Sequence, residues 1–366
     1  MSKIPVDSRI QRILVVNFGG IGDEILFFPV IQSLREAYPQ AKLTALVEPR
    51  CKGIMAFNPA IDEVLTLDVK GKPSVFELLK VVGELRSRSF DLAIGSGRSP
   101  VMPVILLLSG AKYRAGYDAN RLSWTLTEKA KCNPQQYAAE MYYDLIRHWV
   151  PIPFRLPQAA LTQPDREWAK AFLAEHGVQA GDQVVVLHPG TSKLSVQKKF
   201  IKSWDADRWS ELAARLQAAG VKVVLAGGPD DEETIERIKG VLKTQPIEAF
   251  GKTKGLGQLA ALISQASILV CVDSAPLHLG VAVGTPTVGI FGPTDPAKLM
   301  PTGTVHQAIH VDGLACRPCL WDRRATTCDE LSCLKNLGVE AVEAAVWRVM
   351  PARNQANHGT INAAEH

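Results

Sequence analysis

Short runs of β-branched and aliphatic residues alternate along this chain with longer stretches whose apolar positions recur every three or four residues. A period near two marks strands and a period near 3.6 marks helices, so the alternation predicts parallel strands joined by crossover helices, the α/β class. In the first half the spacing predicts strands over 12–17, 42–47, 63–67, 91–94 and 113–116. Between the first two, Ile25, Phe28, Ile31 and Leu34 recur at helical spacing and predict a helix over 24–38, ended by Tyr38-Pro39. A second helix is predicted over 74–87, with Ser74 as its cap and Glu77 three residues on.

A helix predicted over 135–149 is followed by a segment carrying Pro151, Pro153, Pro157 and Pro164. Proline at that density breaks helices, so the segment reads as a linker and places a domain boundary near residue 158. The alternation then restarts, with strands over 183–188, 222–226, 268–272 and 287–291. Helices are predicted over 206–219, 231–241, 256–265 and 275–283. Two tandem α/β domains result, 1–157 and 158–350, and the polar, unpatterned residues 351–366 read as a disordered tail.

The 366 residues carry 41 Lys and Arg against 37 Asp and Glu, a net charge of +4, with 46% hydrophobic and 21% charged residues. That balance is globular and far too weakly basic to indicate nucleic acid as a partner. Pro5, Asp7 and Arg12 interrupt any signal-peptide core, so a cytoplasmic location is expected. The best apolar run, 101–108, has about half the length of a membrane helix, so membrane contact is expected to be peripheral.

Three motifs carry candidate chemistry. NFGGIGDEILFF is a glycine-rich turn between a strand and a helix, in which Gly20 and Gly22 permit close ligand approach beside free amide hydrogens. It lacks the GxGxxG order of dinucleotide sites, and Asp23 at the helix start is either a proton acceptor or only a cap. In HPGTSKLSVQKKFIKSW, the hydroxyls of Thr191 and Ser192 and a lysine run including Lys202 suit phosphate groups, or form an ordinary basic loop. In VCVDSAPLHLGVAVGTPTVGIFGPTDP, Asp273, Ser274 and Ala275 join a buried strand to a helix whose first turn tolerates Pro276, which makes a second anion site. His278 reaches the same ligand or is a core histidine. LAGGPDDEE places Glu232 where it either takes sugar hydroxyls or favours the helix dipole. Of seven cysteines, Cys316, Cys319, Cys328 and Cys333 cluster, which is compatible with tetrahedral metal ligation, zinc or iron, and equally with reduced thiols.

GGIGDEILFFPVIQSLREAYP, HPGTS with KSW, LAGGPDDEE and DSAPLHL with GTPTVGIFGPTDP, taken in this order, resemble glycosyltransferase family 9, the heptosyltransferases of bacterial lipopolysaccharide assembly. The resemblance implies a GT-B fold: two facing Rossmann-like domains with a ligand cleft between them, acceptor on the first and ADP-sugar on the second, and a helix over 338–350 crossing back to the first. It implies an inverting, metal-independent transfer of heptose or a similar sugar to a lipid-linked glycan acceptor. Asp23 then corresponds to the catalytic base, Thr191, Ser192 and Lys202 to the diphosphate segment, and Asp273, Ser274, Ala275, His278 and Glu232 to the donor site. Arg98, Arg114 and Arg121 are further candidates for acceptor contacts. Two other readings remain: a catalytically silent sugar-nucleotide-binding protein, and an NAD-dependent oxidoreductase, which the missing GxGxxG argues against.

Overall fold

The structure, a computed structural model, describes residues 4–71, 73–301, 303 and 305–351. Of the tail expected over 351–366, residues 352–366 lie outside the described residues. The chain forms two compact units, Met1–Ala160 with Ala297–Pro301, and Leu161–Pro296 with Thr302–His366.

The first unit is built on β1 (Arg12–Val16), β2 (Lys42–Val47), β3 (Glu63–Thr66), β4 (Leu92–Gly95), β5 (Tyr113–Tyr117) and β6 (Glu128–Ala130). All pair in parallel in the order β3-β2-β1-β4-β5-β6, with Val15 opposite both Ala45 and Ile94. The second unit repeats this order with β7 (Val184–His188), β8 (Lys222–Leu225), β9 (Ile247–Glu248), β10 (Ile268–Val272), β11 (Thr287–Ile290) and β12 (His306–Ile309). Its sheet reads β9-β8-β7-β10-β11-β12, with Leu187 opposite Leu225 and Val270. Helices cover both faces of such sheets, which is why the central strands β7 and β10 are buried along their whole length and read as continuous apolar runs. In both units the strand order reverses beside the first strand, between β1 and β4 and between β7 and β10. At such a switch point the loops leaving the two strands part, and their carboxyl ends leave room for a ligand.

The helix after β1 spans Ile21–Ala37, starting three residues before the apolar periodicity does, because Gly20 is extended and acts as its N-cap. The helix Val75–Ser87 has the expected reciprocal cap: Ser74 Oγ accepts from the Glu77 amide at 3.3 Å and Glu77 Oε2 from the Ser74 amide at 2.7 Å. The helix expected over 135–149 is shorter, Ala138–Tyr143, continued by turns. The proline-rich linker ends sooner than expected. Gln163–Glu175 is helical, with Thr162 as cap and Pro164 in the first turn, where its missing N–H leaves no bond unmade. The strands β6, β9 and β12, only two to four residues long, escape the periodicity altogether.

The terminal helix Val339–Val349 buries Val339, Val342, Ala345 and Val346 in one cluster with Trp209, Leu212 and Leu216. Arg215 ties it further to the helix Ala206–Ala218 through Glu343 at 2.9 Å and Glu340 at 2.6 Å. The helix that the resemblance sends back to the first unit thus has its apolar face in the core of the second. No helix among the described residues is long and apolar enough to cross a membrane. Val342 is completely buried, so Val342→Ala should lower the unfolding free energy by about 1–3 kcal/mol in urea denaturation. A change below about 0.5 kcal/mol, the range of ordinary surface substitutions, contradicts the packing described.

Candidate active site

At the first unit's switch point the chain leaves β1 through Asn17, whose side chain organises the glycine turn. Its Oδ1 accepts from the Gly19 amide at 3.1 Å and its Nδ2 donates to the Asp23 carbonyl at 3.2 Å. Asp23 occupies the third helical position and folds back, so that Oδ2 accepts from the Gly20 amide at 2.7 Å. The cap and the proton acceptor suggested by the sequence are therefore not exclusive. Oδ2 serves the cap, while Oδ1 receives the Tyr142 hydroxyl at 3.1 Å and keeps lone-pair capacity for another donor. Tyr142 is fixed edge-on against Phe27, with ring centroids 5.6 Å apart. Burial, then the adjacent Asp23 charge, hold its phenol far above the ordinary range, so it remains a donor. Gly19 packs so closely that an added Cβ would lie 2.2 Å from the Asp23 Cβ.

Asp23 opens on a cavity of about 380 Å³ that Glu48, Lys70, Ser96, Arg98 and Tyr117 also line. Gly19 borders this cavity, whereas Gly20 supplies the cap amide and Gly22 is the second residue of the helix. Of the three arginines, Arg98 faces the cavity, Arg114 is bound to the Ala111 and Thr125 carbonyls, and Arg121 is exposed. Beside Asp23 the Glu24 carboxyl is fully buried and neither oxygen has a hydrogen-bond partner. Burial first, and Asp23 second, push its pKa well up, which favours the protonated form.

The second unit assembles most of the expected donor-side residues around its own switch point. Thr191 follows β7 and Ser192 caps the short helix Lys193–Gln197, accepting from the Ser195 amide at 3.3 Å. From β10, Asp273 enters a buried cluster in which its Oδ2 accepts from Lys202 Nζ at 3.2 Å and Thr294 Oγ1 at 2.9 Å. Lys202, which the sequence assigns to a phosphate, is thus paired within the protein. Ser274 is the N-cap residue of the helix Ala275–Ala282, but its hydroxyl turns back to the Val272 carbonyl at 3.3 Å. The first-turn amides beginning at Ala275 therefore have no side-chain cap. His278 is buried within that helix, as is His188 at the end of β7, whose imidazole burial pushes down to about 4. Glu232 is exposed. The acid that faces inward is Asp231, whose Oδ2 accepts from the Gly228 amide at 2.8 Å and against which a Cβ on Gly190 would collide at 1.9 Å.

The cysteine-rich segment shows free thiols, the second of the two readings its spacing allows. Cys316 is exposed, Cys328 half-buried, and Cys319 and Cys333 buried, all as free thiols. Among the described residues no three or more His, Cys, Asp or Glu side chains are grouped to hold a metal ion, so the structure adds no support to zinc or iron there, although Cys319 and Cys333 lie within electrostatic range of each other and of Cys316 and Cys328. The segment has another structural task, which the sequence did not disclose. Thr327 clasps the Lys199 carbonyl through both its amide at 2.9 Å and its hydroxyl at 2.8 Å. Trp321 lies 5.3 Å from the Lys202 ammonium, and Arg317 binds the carbonyls of Gly292, Val311 and Thr294. The segment thereby roofs the Lys202–Asp273 cluster.

Tyr142, Asp231 and Trp321 are the residues that sequence reasoning missed, whereas Thr294 in the GPTD loop lies at the sheet end where the sequence places it. Asp231 had a readable signal: it follows Gly228 by three positions as Asp23 follows Gly20. Tyr142 had none, being 119 residues away from Asp23.

The family model of glycosyltransferase family 9 (heptosyltransferase) matches residues 78–328. The lipopolysaccharide heptosyltransferase 3 of Escherichia coli is 27% identical over 285 residues, 75% of this chain and 81% of that protein. The glycosyl transferase family 9 structure from Veillonella parvula DSM 2008 superposes with a TM-score of 0.79 at 24% identity, covering 93% of this chain and 97% of that one. The E. coli heptosyltransferase WaaC with ADP-2-deoxy-2-fluoro heptose superposes with a TM-score of 0.66 at 22% identity, covering 92% and 99%. These structural likenesses give the fold, the GT-B class with its two Rossmann-like units.

Two measurements check this geometry. The raised Glu24 pKa means the native state binds a proton that the unfolded state has released, so its contribution to stability falls as pH rises above the ordinary carboxyl pKa of 4.5. Glu24→Gln should therefore stabilise the protein by about 1 kcal/mol near pH 8 and by nothing near pH 4, and an equal effect at both pH values refutes the burial. Lys202→Ala should cost about 3–5 kcal/mol in chemical denaturation, because it leaves the Asp273 carboxylate buried without its counter-ion. A loss below about 1 kcal/mol, the range of an exposed pair, contradicts the buried one.

Proposed function

Because the chain belongs to glycosyltransferase family 9 (heptosyltransferase), we propose that it moves a heptose from an ADP-sugar to a hydroxyl of a lipopolysaccharide-core or related lipid-linked glycan. That it is a glycosyltransferase follows from the family. Support for the donor and acceptor comes from the named relatives and from the chemistry of each unit's switch point.

The observation that carries the reading is the Asp23 carboxylate, held between the Gly20 amide and the Tyr142 hydroxyl at the edge of the first unit's cavity. An acceptor hydroxyl bound there gives its proton to Asp23 Oδ1 as its oxygen attacks the anomeric carbon. The bond from that carbon to the diphosphate oxygen breaks in the same displacement, so configuration inverts. Two fixed donors keep the carboxylate oriented before the reaction, which is what a general base requires. Lys70 and Arg98 in the same cavity suit an acidic or phosphorylated acceptor.

On the second unit, the uncapped amides from Ala275, with the hydroxyls of Thr191 and Ser192, meet the charge that grows on the departing ADP. Lys202 contributes from within its pair with Asp273, and the reading assigns no divalent metal to the step. Residues 1–157 then serve the acceptor and 158–350 the nucleotide-sugar, with the chain working at the cytoplasmic face of the inner membrane.

The test follows ADP release from ADP-heptose in the presence of a lipopolysaccharide-core acceptor. Asp23→Asn should lower kcat by about 10²–10⁴ while leaving calorimetric ADP affinity unchanged. Full turnover in that variant removes Asp23 as the base. Tyr142→Phe, which leaves the carboxylate in place, should lower kcat by about tenfold with KM little changed, and an effect on KM alone contradicts a role in orienting Asp23.

A further inference from the structure

The helix Val75–Ser87 is unusual among those of the first unit because only Leu85 is buried along it. Phe76 is 86% exposed, Val75 70% and Leu79 64%, and on the neighbouring 3-10 turn Arg121–Thr125 the indole of Trp124 is 74% exposed. Leu78, Val82 and Leu85 of that helix face Val101, Val104 and Ile105 of the helix Val101–Leu108 across an apolar groove of about 480 Å³. Arg86 bridges the two helices by donating to the Leu108 carbonyl at 3.1 Å. Large exposed apolar side chains on the helix that walls an apolar groove mark an interaction site.

Two features identify what covers it. The first is charge. Residues 68–124, which contain the whole face, hold nine Lys and Arg against five Asp and Glu, an excess of four that equals the net charge of the entire chain. Lys80 and Arg86 are exposed on the apolar helix itself, where Glu77 and Glu84 balance them, and the excess comes from its flanks, where Lys70, Arg98 and Arg121 are exposed. A basic rim around an apolar face is drawn to anionic headgroups, whereas two copies of the same face repel each other. The second is continuity. Val69 and Val101 line both the apolar groove and the cavity that holds Asp23. A surface seated on the groove therefore lies next to the mouth of the acceptor cavity.

We propose that this face docks the chain on an anionic lipid bilayer, with Phe76, Leu79 and Trp124 entering the headgroup layer and the Asp23 cavity opening beside it. The inference rests on the lipid-linked acceptor of the functional reading and adds the surface by which the enzyme reaches it. An exposed tryptophan among aliphatic residues suits the polar boundary of a bilayer.

Sedimentation with vesicles tests it: phosphatidylethanolamine containing about one quarter phosphatidylglycerol, against pure phosphatidylcholine, at about 0.1 M and about 0.5 M salt. The full chain should partition at least about tenfold better onto the anionic vesicles, and less at the higher salt. Phe76→Ser with Leu79→Ser, at exposed positions, should reduce that partition by about tenfold with an unchanged melting curve, and Lys80→Glu by about threefold. Equal partition of the double variant and the original chain overturns the proposal. So does failure to bind anionic vesicles combined with self-association that the double variant abolishes, which would assign the face to a second copy. Turnover on a soluble, delipidated acceptor should be the same in the double variant. Vesicle binding without any sugar transfer would support the docking face while removing the functional reading, so the two fail separately.

Discussion

A carboxylate three residues into a helix, turned back onto the amide of a glycine that begins it, sets the geometry of the first unit's switch point. It requires an extended residue at the cap, which Gly20 supplies, and a neighbour with no Cβ, which only a glycine at position 19 supplies. The same device recurs in the second unit, where Asp231 closes onto Gly228 and crowds Gly190. The two copies differ in what surrounds the carboxylate. Asp231 is buried and burial raises its pKa, as suits a structural cap. Asp23 is only partly buried, receives a second hydrogen bond from Tyr142 and faces a cavity, as suits a group that exchanges a proton. One local motif therefore sits in two environments, and the role proposed for Asp23 rests on its own.

The second unit solves a different problem, that of holding charged groups in a buried place. Lys202 and Asp273 neutralise one another, Thr294 completes the carboxylate's hydrogen bonding, and Trp321 lies against the ammonium. A buried pair of this kind is costly to break but fixes position. The cysteine-rich segment owes its place in the structure to these contacts, through Arg317, Trp321 and Thr327, and its cysteines flank them.

Much of this was legible in the sequence because buried parallel strands are continuous apolar runs and the glycine turns follow them directly. The central strands and the position of Asp23 at a helix start could be read from local pattern alone. The edge strands β6, β9 and β12 could not, since two to four partly exposed residues carry no period. Tyr142 was hidden for another reason: its part in the site comes from tertiary packing between the helix Ala138–Tyr143 and Phe27, which no spacing encodes. Glu232, which the sequence offers for sugar hydroxyls, is exposed, while the neighbouring Asp231 is buried against the Gly228 amide, a difference that a run of acids does not reveal. The cysteine spacing allowed both ligation and free thiols, and the fold brings Cys319 and Cys333 within electrostatic range of Cys316 and Cys328 without grouping three side chains as metal ligands among the described residues.

The central claim is that a single carboxylate, Asp23, takes the proton from an acceptor hydroxyl in one displacement at the sugar. The configuration of the new glycosidic bond reports on this directly. With an ADP-heptose of defined anomeric configuration and a core acceptor, the product's anomeric coupling measured by nuclear magnetic resonance should show inversion. Retention of the donor's configuration would require a second displacement through another group and would contradict the account.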